Sequence, residues 1–370
     1  MITKPDKNSL VISRMQKLLT VSLIALFAAL PAHAQEITVT DMEGREVTLD
    51  APASRIATFP MPMASAVVAM DGSIDRLVGM NPQSYVAHFE GLLGKIFPQA
   101  ELIAHDYTGG DFMPNVEALV ALQPDLVIQW GGQGNDIVDP LLNAGLNTIL
   151  TRTGSEANVR GSQTLLANVI GKPERITEIV EWRQSVQDRI EAKTSGLEEK
   201  DRPTVLYLQS ALNNIKAVGR EGHYQSWYIE MTGGVSASAD LNGTVPISIE
   251  QIAAWDPDVI LLNSFEPALG VDWVYDNPIL SQLKAAKEHR VYKLPLGGYR
   301  WDSGNQESPL TWMWLSSLLH PELFDFDMRT EMRDAFKRLY NYDASEEDID
   351  NVLRLSMQGD ATNYDQFKRR

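Results

Sequence analysis

Two similar α/β lobes with mainly parallel sheets, joined by one long rigid helix, are what this sequence predicts, on three observations. One phrase occurs twice, over residues 115–128 and 248–261; each copy reads as a capped amphipathic helix, a Pro-Asp turn and a short apolar strand. Glu117 aligns with Glu250, Leu119 with Ile252, Ala121 with Ala254, and Pro124-Asp125 with Pro257-Asp258. The run from Ser162 to Lys200 between them has a helical pattern with charges on one face. On either side, short apolar strands alternate with helical segments, the pattern of a parallel sheet. Copies roughly 130 residues apart are too distant for a solenoid, whose period is ~20–50 residues, and 370 residues exceed what one core usually supports.

Taken in order, Lys4, Lys7, Arg14 and Lys17 precede an apolar run from Leu18 to Leu30, and Pro31-Ala32-His33-Ala34 supplies small residues for cleavage. At about 13 residues the run is short of the ~20 that a membrane span needs. An export leader over residues 1–34 is expected. Its loss removes four basic residues and one acidic one, which takes the net charge from −17 to about −20. So acidic a chain is ill suited to nucleic acid or to an anionic membrane surface. With no cysteine there are no disulfides, thiolate metal sites, thiol nucleophiles or acylated anchor. A soluble, untethered protein of the periplasm is expected.

Residues 37–50 alternate around a Glu-Gly turn and predict a β-hairpin. Strands follow at Arg55–Phe59, Leu77–Met80 and Asn147–Leu150, with helices at Ala64–Met70 and around Pro140-Leu141-Leu142. The N-terminal lobe then covers residues 35–160. In the bridge (161–200), Pro173 suits a first helical turn, and Glu174–Ser195 would be about 33 Å long at ~1.5 Å per residue. The C-terminal lobe (201–323) holds strands at Thr204–Leu208 and Val291–Leu294, a loop or bent strand at Asn213–Gly222, and helices at Ser226–Thr232 and Pro309–Leu319. Residues 324–370 read as a helical, acidic, peripheral extension.

Ligands of parallel sheets collect at the carboxyl ends of strands. The residues that follow the strands include Tyr85 and His88; Trp130; Arg220, His223 and Tyr224; Phe265; and Tyr299, Arg300 and Trp301. Aromatic rings and guanidinium groups so placed suit a large planar or chelated anion, which stacks and accepts bidentate hydrogen bonds. A single Trp or His after a strand also serves as lobe packing, whereas Tyr299-Arg300-Trp301-Asp302 is dense enough to favour a site. No nucleophile elbow, phosphate loop or dinucleotide fingerprint is present, so an enzyme is not expected.

The exported start, the doubled phrase and the mid-chain helix resemble cluster A (class III) substrate-binding proteins of ABC importers, the receptors for ferric siderophores, haem and cobalamin. The resemblance covers about residues 37–320. It implies two Rossmann-like lobes joined by a rigid helix, with cargo held in a shallow cleft. Glu117 and Glu250 match the paired glutamates that dock on permease arginines, and Trp130 matches a cleft-lining position. Tyr85 and Trp301 fall in cleft loops, and Arg220 where some siderophore receptors place an anion-binding arginine. The expected function is capture of an iron chelate, foremost a ferric siderophore, for an ABC permease. Tyr85, Trp130, Tyr299 and Trp301 would flank it, Arg220 and Arg300 would neutralise it, and His88, His223 or Tyr299 would complete an unfilled metal position. Haem, cobalamin, a nickel or cobalt chelate, or a binding module without transport stay open. No resident cofactor and a monomer are expected.

Overall fold

The computed structural model describes residues 1, 36–109, 111–221 and 223–369; apart from Met1, the expected leader lies outside them. The hairpin forms as β1 (Ile37–Thr40) and β2 (Glu46–Leu49), antiparallel. β3 (Ile56–Thr58), α1 (Met63–Asp71), β4 (Leu77–Gly79), α2 (Pro82–Glu90), α3 (Val116–Ala121), β5 (Leu126–Trp130) and β6 (Thr148–Thr151) follow. Their strands form a wholly parallel sheet in the order β4-β3-β5-β6. After α4 (Glu156–Val169) and α5 (Pro173–Thr194) come β7 (Thr204–Ser210), β8 (Lys216–Val218), α6 (Tyr224–Met231), β9 (Val235–Ser236), β10 (Thr244–Pro246), α7 (Ile249–Trp255), β11 (Val259–Leu262) and β12 (Val291–Lys293). The second sheet runs β10-β8-β7-β11-β12, with β9 beside β7. Its centre, β7-β11-β12, is parallel, and β8 and β10 add an antiparallel edge.

The doubled phrase folds the same way twice. Asn115 and Ser248 cap α3 and α7, accepting the N–H of Ala118 and Gln251. Gln123 and Asp256, equivalent in the alignment, both turn the chain with positive φ, 50° and 40°. The Asp of each Pro-Asp pair anchors the neighbouring strand. Asp125 accepts from the N–H groups of Ser54 and Arg55, and Asp258 from the N–H and hydroxyl of Thr204. Those bonds set where β5 and β11 align with β3 and β7, so the repeated aspartate fixes sheet register.

Strand residues alternate between two buried layers. Leu126 and Ile128 of β5, Val205 and Tyr207 of β7, and Val259 and Leu261 of β11 enter one large core. Val127 faces a second cluster, and Leu206, Leu208, Ile260 and Leu262 a third. Sheets covered on both faces are what all-parallel strands require. The large core is common to both lobes, because α5 threads it with Ile179, Val186 and Ile190. α5 packs on α4 of the first lobe and on α6 and α8 (Ser308–Leu319) of the second. Gly171, with φ +71°, separates α4 from α5, and the expected boundary at residue 160 falls inside α4.

One expectation is overturned: residues 324–370 are not peripheral. α9 (Met328–Tyr340) buries Met332, Phe336 and Leu339 in the large core, and Tyr364 and Phe367 follow them. α9 rests on α1 as well as α8, so this segment stitches the lobes together. Acidic composition describes its outer face; its strongly amphipathic inner face was the missed signal.

Candidate functional site

A cleft of about 590 Å³ opens between the lobes at the carboxyl ends of their strands. The first lobe supplies Met61 and Pro62 after β3, Phe112, Trp130 and Gln133 around the end of β5, and Thr153 and Gly154 after β6. The second supplies Gln209 and Ser210 at the end of β7, Lys216 and Thr244 from the antiparallel edge, and His223, Tyr224 and Gln225 at the start of α6. Phe265 after β11 and Tyr299, Ser303 and Gly304 after β12 complete it. A larger groove of about 920 Å³ beside the hairpin is lined by residues 37–52 and 161–174 alone, so it touches one side of the molecule.

The chemistry of the cleft is the reverse of the chain's composition. Among the described residues no Asp or Glu lines it, and Lys216 is its one Lys or Arg. Glutamine, threonine and serine side chains provide neutral donors among three kinds of aromatic ring. Among the described residues two buried polar atoms of the lining lack a well-formed hydrogen bond: Trp130 Nε1 and, on the opposite side of the cleft, the Tyr299 hydroxyl, which has the Arg300 guanidinium beside it but outside good hydrogen-bond geometry. An orphaned buried donor costs ~1–3 kcal/mol, so each is a place where a ligand acceptor would be stabilising. Burial pushes the Tyr299 hydroxyl well up, which keeps it protonated and donating. Burial also lowers the His223 imidazole, so it is neutral at pH 7. Among the described residues no group of three or more His, Asp or Glu is placed to hold a metal ion.

Trp130, Tyr299 and His223 are therefore the expected residues that the fold brings together. The others lie elsewhere. Tyr85 stacks on His105 at 3.8 Å between ring centroids and tilts against Phe89. His88 is buried with Nε2 3.2 Å from the Phe97 carbonyl oxygen. Arg220 is exposed and pairs with Glu230 at 2.6 Å. Trp301 is fully buried and donates to Glu307 at 2.8 Å. Arg300 sits one layer behind the wall: it donates to the carbonyls of Gln83 and Ser264, and its guanidinium lies 4.8 Å from the Phe265 ring centroid. Adjacent residues in these loops alternate between cleft and core, so proximity to a strand end does not decide direction. Tyr224 and Phe265 followed strands in the sequence but were not singled out; Phe112, Lys216 and the glutamines carried no signal of their own. Glu117 and Glu250 are exposed in the first turns of α3 and α7.

Residues 70–296 match the family described as periplasmic binding protein. The molybdate-binding protein MolA of Haemophilus influenzae is 23% identical over 82% of this chain and 90% of its own length. A periplasmic solute binding protein from Veillonella parvula superposes with a TM-score of 0.80 at 29% identity, covering 88% of this chain and 99% of that one. The nickel–histidine complex of CeuE from Helicobacter pylori shares the fold, with a TM-score of 0.69 at 24% identity over 86% of this chain and 99% of that one.

Proposed function

The chain belongs to the periplasmic binding protein family that serves ABC importers, and from that premise we propose that it captures an anionic metal chelate, foremost a ferric siderophore, between its lobes. The observation that carries this reading is a pair of buried donors without well-formed hydrogen bonds, Trp130 Nε1 and the Tyr299 hydroxyl, in a cleft whose described lining holds no carboxylate and one lysine. About 590 Å³ lies within the ~300–1,000 Å³ usual for sites that enclose a drug-sized ligand. Aromatic walls favour a guest with apolar surface as well as charge. A single Lys216, with Arg300 screened behind Phe265, suits a modest negative charge; a highly charged catecholate would call for several exposed guanidinium groups.

The metal arrives as cargo. Related proteins are named for Fe(3+)-citrate, vitamin B12 and haem binding. A chelate with an open coordination position is the second reading. His223 favours it, since it lines the cleft, is neutral at pH 7 and among the described residues has no side-chain hydrogen-bond partner. Haem and nickel or cobalt complexes belong there, and cobalamin remains a candidate by family. Intrinsic fluorescence titration with ferric hydroxamate, ferric citrate, haem, cobalamin, nickel–histidine and molybdate tests the proposal; no affinity for any of them overturns it. Tyr299→Phe deletes a donor while keeping the ring, and Trp130→Phe deletes one while keeping a smaller aromatic ring, so each is expected to weaken the best cargo about tenfold. That is the low end of the ~1.5–3 kcal/mol of a charge-assisted hydrogen bond. A His223→Ala variant that leaves the metal-centred absorbance unchanged removes the coordination reading.

Delivery would use Glu117 and Glu250 as a two-point electrostatic dock on the permease. Each exposed pair contributes ~1 kcal/mol at most, so the dock releases readily. With Glu117→Arg and Glu250→Arg combined, attraction becomes repulsion in both lobes. Uptake by cells is expected to fall tenfold or more while cargo affinity of the purified protein is unchanged; equal uptake would point to a binding module without a transport role.

A further inference from the structure

Below the cleft floor lies a buried ion pair between the lobes that binding chemistry leaves unexplained. Arg183 stands halfway along α5 and is 0% exposed. It donates to both carboxylate oxygens of Glu156, at 2.8 and 2.5 Å, at the start of α4. Its third nitrogen donates to the Asn305 carbonyl of the second lobe at 2.6 Å, and Trp312 of α8 lies under the guanidinium at 5.1 Å. Tyr224, whose ring lines the cleft, donates its hydroxyl to Glu156 at 2.9 Å. At the same level the lobes touch: a Cβ on Gly304 would come within 2.5 Å of Val159. Burial pushes the Glu156 carboxyl up, but the charge and hydrogen bonds of Arg183, together with hydrogen bonds from Arg160 and Tyr224, more than offset this and hold it below its usual range.

A hydrophobic trio would hold α4, α5 and the Asn305 loop together at least as firmly, since buried ion pairs rarely stabilise more than apolar replacements. What the pair adds is geometry: a planar fork accepts one orientation of its carboxylate and one distance to each partner. We propose that Arg183 is a positioning residue that fixes the spacing of the two halves of the cleft, by holding Glu156 of one lobe and Asn305 of the other in a single rigid frame. The inference rests on the cleft being the binding site for its meaning, but the spacing itself is independent of cargo.

The chain has no cysteine, so Leu142→Cys and Ile279→Cys, exposed on opposite lobes, accept spin labels without competition. Distances are measured by pulsed EPR on the cargo-free, full-length mature protein. The labelled parent is expected to give one narrow peak. Adding Glu156→Met with Arg183→Met, which replaces the pair by apolar groups and also leaves Arg160 and the Tyr224 hydroxyl without their acceptor, is expected to broaden that peak at least twofold while the protein still unfolds in one cooperative transition. Tyr224→Phe, which keeps the pair, leaves it narrow. A double-methionine variant whose distance distribution superimposes on the parent overturns the proposal. Should that variant fail to fold, Glu156→Gln is read the same way, with the same two outcomes. Because no cargo is present, failure of the cargo panel and failure of the spacing test are separate results.

Discussion

Phe336→Ala is expected to lower the free energy of unfolding by ~3–5 kcal/mol, the range for emptying a buried phenylalanine site. Phe336 is 0% exposed in the large core, on a helix whose inner face also buries Met332, Leu339 and Tyr340. α9 touches helices of both lobes, so little of the surrounding structure is free to collapse into the void. Further long-range bonds hold the same segment: Lys95 pairs with Asp348 at 2.7 Å, and Gln358 accepts the N–H of Lys293 and donates to its carbonyl. Urea unfolding should show one cooperative transition moved to lower concentration. A loss below ~1 kcal/mol would mean that residues 324–370 are an appended layer after all.

Glu307 is expected to make stability depend on pH in a direction opposite to most carboxylates. It is fully buried, and burial pushes its carboxyl up to about 7, against the hydrogen bonds from Tyr340, Trp301 and the Gly298 N–H. An acid whose folded pKa is raised binds more protons folded than unfolded between about 4.5 and 7. Its contribution is therefore complete below about 4.5 and is lost as pH rises through 7. At ~1.36 kcal/mol per pH unit the loss is about 3 kcal/mol. The lowered His88 and His223 act in the other sense, losing stability as pH falls through the ordinary histidine range. Glu307→Gln isolates the carboxyl: the stability difference between variant and parent should change by about 3 kcal/mol from pH 4.5 to 8. Parallel curves would rule the effect out. The loop that Glu307 braces carries Tyr299, Ser303 and Gly304 into the cleft, so cargo affinity is a second place to look for the same pH dependence.

Much of the architecture was legible in local pattern. The capped helix, Pro-Asp turn and apolar strand of each repeat are specified within a few residues, so Asn115 to Ile128 and Ser248 to Leu261 were read correctly as sister units. Trp130, Tyr299 and His223 reached the cleft because a strand end gives the right neighbourhood. Tyr85, Arg220, Arg300 and Trp301 shared that neighbourhood and went elsewhere. Each has a partner on which it stacks or to which it hydrogen-bonds, and for Arg300 that partner is Gln83, from the other lobe.

By itself the sequence determined two parallel-sheet lobes, the long helix between them and exposed glutamates at matching positions, because periodicity, caps and turns act over one or two helical turns. Only the tertiary structure decided which aromatic rings face the cleft, that no acidic side chain among the described residues lines it, and that the last helices belong to the common core. Those outcomes depend on contacts between residues tens to hundreds of positions apart, and no local pattern encodes which way a loop side chain turns when two lobes close on it.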